Sequence, residues 1–243
     1  ERPESALGQQ IREAASDMPA LFPEKAMVAC QGVEGAYSQL ACEKMIRYPS
    51  IMYCRTFENV FSAIESGLCR YGILPIENSL AGSVNSVYDL MIKHHCYIVR
   101  SARIKIDHTL LALPGTQLDQ IREIYSHEQA IQQCSAFLSQ HKEWHVNVCT
   151  NTAAAAQMVA RSGRKDAAAI SSGHCAALYG LECLSGEIQN NSNNHTRFIC
   201  ISKKPEIYPG ADRTSLMLVL PNRPGSLYQP LSRFNAQGTN PIQ

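Results

Sequence analysis

Residues that could bind a small anionic molecule cluster where apolar runs of the sequence end. The apolar run 71–76 is followed by Glu-Asn-Ser at 77–79, and another apolar run leads into Ser-His-Glu-Gln at 126–129. Carboxylate, amide and hydroxyl groups of these types donate and accept hydrogen bonds. Arg197 stands before a third apolar run and offers five donors suited to a carboxylate. The pattern indicates hydrogen-bonding chemistry on a small, anionic ligand.

Strand-to-helix junctions are the elements expected to position these clusters. Ser83 is a good N-cap for a helix in which Val84, Val87 and Leu90 follow helical spacing. In open α/β sheets, ligands bind where the carboxyl end of a strand and free helix N–H groups face one crevice. An ordinary strand-to-helix connection explains the same local pattern, and a structural salt bridge explains Arg197 equally well.

Apolar runs alternate with helical patterns along most of the chain. The predicted strands are 27–31, 51–54, 71–76, 97–106, 108–113, 121–125, 146–149, 167–170 and 198–201. Strands that alternate with helices favour an α/β fold with mainly parallel sheets and helices on both faces. Two successive α/β units, each with polar helix starts, predict two lobes that close over the ligand.

Composition narrows the classes of partner. The 243 residues are 45% hydrophobic, and 22 Lys and Arg against 21 Asp and Glu leave no basic field to attract nucleic acid. No apolar run has the length of a membrane span, and the start of the sequence lacks the layout of a signal peptide. We therefore expect a cytoplasmic protein with no nucleic-acid or membrane partner. The 10 scattered cysteines are typical of reduced core thiols and predict no zinc site.

Seven sequence blocks, taken together and in this order, carry a resemblance to a known family. They are GxxGxYS (32–38), VFSAIESG (60–67), PIENSxxGSVxxxYDL (75–90), HTLL (108–111), SHxQAxxQC (126–134), YGL (179–181) and NxTRF (194–198). Over about residues 27–202 the chain resembles prephenate dehydratase. The resemblance extends to residues 214–228, which look like the start of an ACT regulatory domain. It implies a two-lobed fold like type II periplasmic binding proteins, with the active site in the cleft between the lobes.

The resemblance also implies a reaction and the residues that serve it. Prephenate loses carbon dioxide and water to give phenylpyruvate in phenylalanine biosynthesis, and neither a cofactor nor a metal is required. Thr196 is expected near the leaving hydroxyl, Arg197 at a substrate carboxylate or ordering the site, and Phe198 packed behind. Glu77 and His108 are candidate catalytic partners of Thr196, although structural roles explain both equally well. The expected substrate-binding residues are Asn78, Ser79, Ser126, Gln129, Gln133, Ser38, Thr152 and Ser171.

The expected domain organisation follows the same resemblance. The segments are a linker or short helix (1–26), a first lobe (27–106 with 189–203), a second lobe (107–188), a linker (204–212) and an ACT-like segment (213–243). That last segment is expected to hold about one strand and one helix, which is too little for a core. Its regulatory site, assigned to Asn222, Gly225 and Leu227, is expected to be incomplete here.

The first glycine block and the block at 126–134 depart from the family pattern. Val33 and Ala36 stand where proline and threonine are usual, and Glu128 stands where proline is usual. These changes argue against a polar role for position 36.

Two other functions fit the same sequence. Arogenate dehydratase carries out the same chemistry on an amino-acid analogue, and a non-catalytic two-lobed module would bind or sense a small carboxylate. The resemblance further implies a homodimer and phenylalanine as an effector of the full-length protein. A chorismate mutase domain often precedes this region in similar bacterial proteins, and the sequence leaves open whether one precedes Glu1.

Overall fold

The computed structural model describes residues 5–17, 21–211, 213–216 and 218–238. The chain divides into two units, Glu1–Ala211 and Asp212–Gln243. The elements of the described residues are, in chain order, α1 (Ala6–Ser16), β1 (Lys25–Gln31), α2 (Tyr37–Met45), β2 (Tyr48–Cys54), α3 (Phe57–Glu65), β3 (Tyr71–Asn78), β4 (Gly82–Ser83), α4 (Asn85–His94), β5 (Tyr97–Lys105), β6 (Thr109–Ala112), a 3-10 helix (Leu118–Gln120), β7 (Glu123–Ser126), α5 (Glu128–Gln133), α6 (Ser135–Leu138), β8 (His145–Val148), α7 (Thr152–Ser162), β9 (Ala167–Ser171), α8 (His174–Tyr179), β10 (Glu182–Ser185), β11 (His195–Ser202) and α9 (Tyr228–Ala236).

The first sheet has the strand order β2-β1-β3-β11-β5, and the two-residue strand β4 pairs with β3. β1 lies parallel to β2 and β3, whereas β11 lies antiparallel to β3 and β5. Val28, Ala29 and Cys30 in β1 are 0% exposed, as expected for a strand with both faces covered. The last strand of the first unit thus returns to lie between two early strands.

The second sheet has the strand order β10-β6-β9-β7-β8. β7 lies parallel to β8 and β9, whereas β6 lies antiparallel to β9 and β10. The two-lobed α/β prediction is confirmed. Parallel pairing holds within three neighbouring strands of each sheet, and antiparallel strands extend both sheets beyond them.

Helices cover both faces of each sheet. On the first sheet, α3 and α4 bury Phe61 and Val87 on one face, and α2 buries Met45 on the other. On the second sheet, α7 buries Ala156 on one face and α5 buries Ala130 on the other. Because apolar side chains are removed from water on both faces, the backbone positions at the strand ends are held firmly.

The chain crosses between the two sheets twice, from β5 to β6 and from β10 to β11. Ile106 N donates to Asn194 O at 2.8 Å, and Ile188 N donates to His108 O at 3.0 Å. His108 N also donates to Gln189 Oε1 at 2.9 Å. The two crossings are therefore bonded to each other, and they bring the end of β5 close to the start of β11.

A turn of the first lobe packs directly on the second lobe. Gly35 has a φ of +87°, and a Cβ there would lie 2.9 Å from both Cys175 Sγ and Leu178 Cδ2 of α8. The adjacent Glu34 carbonyl accepts a hydrogen bond from Tyr179 Oη. Glycine is required at position 35 both for the backbone angle and for this close approach.

The prediction that Ser83 caps a helix is wrong. α4 begins at Asn85 with Val84 at its N-cap, and Ser83 lies in β4. Asn78 Oδ1 accepts hydrogen bonds from the N–H groups of residues 80–81 at 3.0 and 2.9 Å, which turns the chain into the β3–β4 hairpin. The helix therefore begins only after that hairpin has closed.

In the second unit, the described residues form α9 and no strand. Leu216 is 59% exposed and Val219 is 82% exposed. A lone strand has no partner for its backbone N–H and C=O groups, so the apolar run 216–220 does not suffice to form one. For residues 213–216 and 218–238, the prediction of a strand is wrong and the prediction of a helix is confirmed.

Candidate active site

The carboxyl end of β3 lies beside the amino end of β11. Asn78 pairs with Thr196 and Glu77 pairs with Arg197, and the register shifts between Arg197 and Phe198. Because side chains alternate across a strand, Asn78 and Thr196 share one face of the sheet while Glu77 and Arg197 lie on the other. Two of the sequence blocks, PIENS and NxTRF, thus meet at one point.

The Asn78 amide is bonded on both sides. Its Oδ1 accepts from the backbone N–H groups of Leu80 and Ala81 at 3.0 and 2.9 Å. Its Nδ2 donates to Thr196 Oγ1 at 3.0 Å and to Asn194 Oδ1 at 2.8 Å. Thr196 therefore accepts a hydrogen bond from Asn78, which leaves its own hydroxyl proton free for another acceptor.

Asn194 and Gln133 continue this network into the second lobe. Asn194 Nδ2 donates to Gln133 Oε1 at 2.9 Å, and His108 Nε2 lies 2.8 Å from the same oxygen. Asn194 is 0% exposed and His108 is 2% exposed. These five residues form what we call the polar chain: Thr196, Asn78, Asn194, Gln133 and His108.

Burial at one end of the polar chain favours the neutral form of the His108 imidazole. Burial lowers the pKa of His108, and the Gln133 hydrogen bond and the Asp107 charge oppose this shift only in part. Its Nδ1 is buried and has no hydrogen-bond partner in the part of the chain that the structure describes. The ring of Tyr37 lies edge-on to it, with 6.4 Å between ring centroids and an interplanar angle of 82°.

Three residues expected to be catalytic lie at or behind the β3–β11 junction. Glu77 is exposed, lies on the face opposite Thr196 and makes no side-chain hydrogen bond with the described residues. Arg197 is half-buried on that same opposite face, and its guanidinium has no hydrogen-bond or ion-pair partner in the described part of the chain. Phe198 is 4% exposed and packs in the core behind Thr196. The structure thus brings neither Glu77 nor Arg197 to Thr196.

The hydroxyl groups of three serines expected to bind substrate donate hydrogen bonds to other groups of the protein. Ser126 Oγ donates to Ile170 O at 2.7 Å and Ser38 Oγ donates to Gln31 O at 2.7 Å. Ser171 Oγ donates to a cysteine thiol at 3.4 Å. Ser126 and Ser171 are 0% exposed. These contacts stabilise the ends of β7, β9 and β1.

The remaining expected binding residues lie apart from the polar chain. Ser79 Oγ donates to Asn193 O at 3.2 Å and accepts from His195 N at 3.0 Å, which ties the elbow to β11. Gln129 and Thr152 are half-buried, and their side chains make no hydrogen bond with the described residues. Those two side chains remain available to a ligand.

Sequence reasoning missed several residues of the site. Asn194 lies at the centre of the polar chain, but its asparagine-rich surroundings are typical of a turn. Gln189 donates to Asp107 Oδ1 at 3.1 Å, and Tyr37 Oη donates to the Asp107 carbonyl. Asn194 belongs to the NxTRF block and Tyr37 to the GxxGxYS block, so these two blocks carried a signal, whereas Gln189 lies outside all seven blocks.

A protein-family model described as prephenate dehydratase matches residues 28–206. The chain belongs to the prephenate dehydratase family. The match includes every residue of the polar chain and all strands of both sheets except residues 25–27 of β1. Within the described residues, no cluster of three or more His, Cys, Asp or Glu side chains could hold a metal ion. No described helix combines the length and the apolar composition needed to cross a bilayer.

Known proteins agree with the family assignment. The chain is 37% identical over 219 residues to arogenate dehydratase/prephenate dehydratase 1, chloroplastic, of Arabidopsis thaliana. That alignment covers 89% of this chain and 55% of the Arabidopsis protein. The prephenate dehydratase of Arthrobacter aurescens, solved with L-Phe, is similar with a TM-score of 0.77 at 25% identity, over 89% of this chain and 74% of that one. A structure named GqqA, a novel type of quorum quenching acylases, is similar with a TM-score of 0.73 at 30% identity, over 89% and 80%. The chain spans a little over half the length of its plant relative.

The residues assigned to an allosteric site lie in the second unit. Asn222, Gly225 and Leu227 precede α9, and Gly225 has a φ of +83° in the turn before it. Leu227 is 61% exposed. The regulatory role of these three residues stays a prediction.

Proposed function

We propose that the protein is a prephenate dehydratase in which the Thr196 hydroxyl donates to the departing hydroxyl of the substrate. The observation that carries this proposal is the Asn78 Nδ2 hydrogen bond to Thr196 Oγ1 at 3.0 Å. Since Oγ1 accepts from Asn78, the hydroxyl proton points elsewhere, and Thr196 is half-buried and reachable from solvent. Membership of the family supports the same reaction.

The reaction makes modest demands on such a donor. The electron pair of the bond to the ring carboxylate moves into the ring as carbon dioxide leaves, and the ring C–O bond breaks at the far side. The hydroxyl departs as water, with a proton delivered through the Thr196 hydroxyl and replaced from solvent. A threonine hydroxyl is a weak acid, so we infer that its main role is a hydrogen bond that strengthens as charge develops on the leaving oxygen.

The polar chain also supplies a donor for a substrate carboxylate. Gln133 Oε1 is fully used by two hydrogen bonds, whereas Gln133 Nε2 has no partner among the described residues. Gln129 lies on the same helix and also has a free amide. Binding of a carboxylate by Arg197 has less support, because the pleat places Arg197 on the face opposite Thr196.

Formation of phenylpyruvate from prephenate by the purified protein tests this function. We expect turnover above the uncatalysed rate without added metal or cofactor. Binding of prephenate without turnover would instead identify the non-catalytic carboxylate-binding module. Turnover of arogenate in preference to prephenate would identify the arogenate dehydratase.

An acylase activity is disfavoured by the hydroxyl and thiol contacts of the site. A serine or cysteine nucleophile is usually activated by a neighbouring histidine ring. Among the described residues, no hydroxyl or thiol is hydrogen-bonded to a histidine ring, and Ser126 and Ser171 are fully buried. The Asn78–Thr196 pair therefore favours the dehydratase over the activity named for GqqA.

The biological setting stays a prediction. A homodimer, regulation by phenylalanine and a cytoplasmic location all follow from the family resemblance and the composition. The lobe boundaries at 106–107 and 188–189, and the linker at 204–212, likewise stay predictions. Light scattering with and without phenylalanine would test the first two.

A further inference from the structure

The hydrogen bonds of Asn78 have a direction that the backbone sets. The N–H groups of Leu80 and Ala81 can only donate, so the atom of Asn78 that faces them at 3.0 and 2.9 Å must be the amide oxygen. The amide nitrogen then faces Thr196 and Asn194. Two main-chain groups thus decide how a side chain at the site is oriented.

That direction passes along the polar chain from one side chain to the next. Because Asn78 donates to Asn194, Asn194 must present its oxygen there and its nitrogen to Gln133. Gln133 must then present its oxygen to Asn194, and this oxygen also lies 2.8 Å from His108 Nε2. An oxygen can only accept, so His108 Nε2 must carry a hydrogen.

We propose that Asn194 is a positioning residue that transmits the Asn78 orientation to the second lobe, holding Gln133 with its oxygen inward and His108 in the Nε2–H tautomer. Two consequences follow. Within the described ranges, Gln133 Nε2 is left without an acceptor, and His108 Nδ1 is left as a buried acceptor without a donor. The catalytic part of this inference rests on the proposed function, whereas the tautomer does not.

Asn194 suits this role because its side chain and its backbone are both held in place. It is 0% exposed, so bulk solvent does not reach its amide. It lies on the second crossing between the lobes, where its carbonyl accepts from Ile106 N at 2.8 Å. Its backbone is thereby fixed while its side chain joins Asn78 of the first lobe to Gln133 of the second. A side chain held in this way can relay orientation without moving.

The tautomer of His108 can be measured by nitrogen-15 NMR on the wild-type protein with labelled histidine. We expect a protonated Nε2 and an unprotonated Nδ1. A protonated Nδ1 with unprotonated Nε2, or a mixture of the two forms, would overturn the inference whether or not the protein is an enzyme.

Two matched substitutions then test Asn194 itself. In Asn194→Leu, Gln133 loses its donor and is free to turn over, so we expect both His108 tautomers and a kcat/KM for prephenate lower by about fivefold or more. Gln189→Leu removes another amide next to His108, but one that bonds its backbone N and not its ring. We expect Gln189→Leu to keep the Nε2–H form.

The outcomes separate the two levels of the proposal. A single Nε2–H form in Asn194→Leu, or equal mixing of tautomers in both variants, would show that Asn194 does not set the orientation. The predicted tautomers without any turnover would leave the positioning role intact and refute the proposed function. If Asn194→Leu does not fold, the tautomer of His108 in the wild-type protein still decides the direction of the hydrogen bonds along the polar chain.

Discussion

Replacing Asn78 with aspartate separates its two roles in the site. Asn78→Asp keeps an oxygen for the N–H groups of Leu80 and Ala81, so the β3–β4 hairpin is expected to form. It replaces Nδ2 by a second oxygen, 3.0 Å from Thr196 Oγ1 and 2.8 Å from Asn194 Oδ1. Thr196 would then donate its proton to the carboxylate instead of accepting a hydrogen bond.

The expected fall in kcat follows from the hydrogen bond between Thr196 and the new carboxylate, which must break before Thr196 can donate to the substrate. A hydrogen bond from a hydroxyl to a buried carboxylate contributes about 1.5–3 kcal/mol, and each 1.36 kcal/mol changes a rate about tenfold. We therefore expect kcat to fall by about 10- to 150-fold in Asn78→Asp. The free energy of unfolding should also fall, by about 1–3 kcal/mol, because a buried carboxylate oxygen then faces the acceptor Asn194 Oδ1, although the two backbone contacts are kept.

Initial rates of phenylpyruvate formation, together with a urea unfolding curve for each protein, check this prediction. Asn78→Ala is the control: it loses the backbone contacts as well, so both kcat and the free energy of unfolding should fall, the latter by about 1–3 kcal/mol. A kcat for Asn78→Asp within twofold of wild type would refute the proposed orientation of the Thr196 hydroxyl.

Two further predictions concern the buried groups of the second lobe. Ser126→Ala should lower the free energy of unfolding by about 1–3 kcal/mol, because the Ile170 carbonyl loses its donor, while KM for prephenate stays unchanged; a KM raised at unchanged stability would show instead that Ser126 binds substrate. His108 has a folded-state pKa below its unfolded value, so the unfolded chain binds more protons and stability should fall as pH drops below the ordinary histidine range. Urea unfolding of wild type and His108→Gln between pH 7.5 and about 5 should show a weaker pH dependence in the variant; an identical dependence would exclude His108 as its source.

Much of the fold follows from local patterns in the sequence. Alternating strands and helices and polar helix starts, such as Thr56 accepting from Asn59 N at 3.2 Å before α3, are local properties that the sequence carries directly. The strand order is not local. Nothing in β11 itself indicates that it inserts between β3 and β5, because such pairing depends on contacts between distant parts of the chain.

The site was predictable only where a sequence block named it. Thr196, Gln133 and His108 came from the family resemblance, Asn78 also from the polar cluster that follows the apolar run 71–76, and the structure joins these residues in one chain. Asn194 was missed because an asparagine before a strand usually marks a turn, and its contacts lie far away in the sequence. The prediction of a helix cap at Ser83 was wrong because the N-cap preference of serine is a local property. The Asn78 side chain instead closes a hairpin before the helix begins.

The most direct test of the central claim is the rate of phenylpyruvate formation by wild-type protein and Thr196→Ala at saturating prephenate. We expect measurable wild-type turnover, a loss of at least about tenfold in kcat for Thr196→Ala, and a KM that changes little, because the lost hydroxyl acts mainly in the transition state. Thr196→Ser, which keeps the hydroxyl, should retain most of the activity. Wild-type turnover in Thr196→Ala would contradict the account.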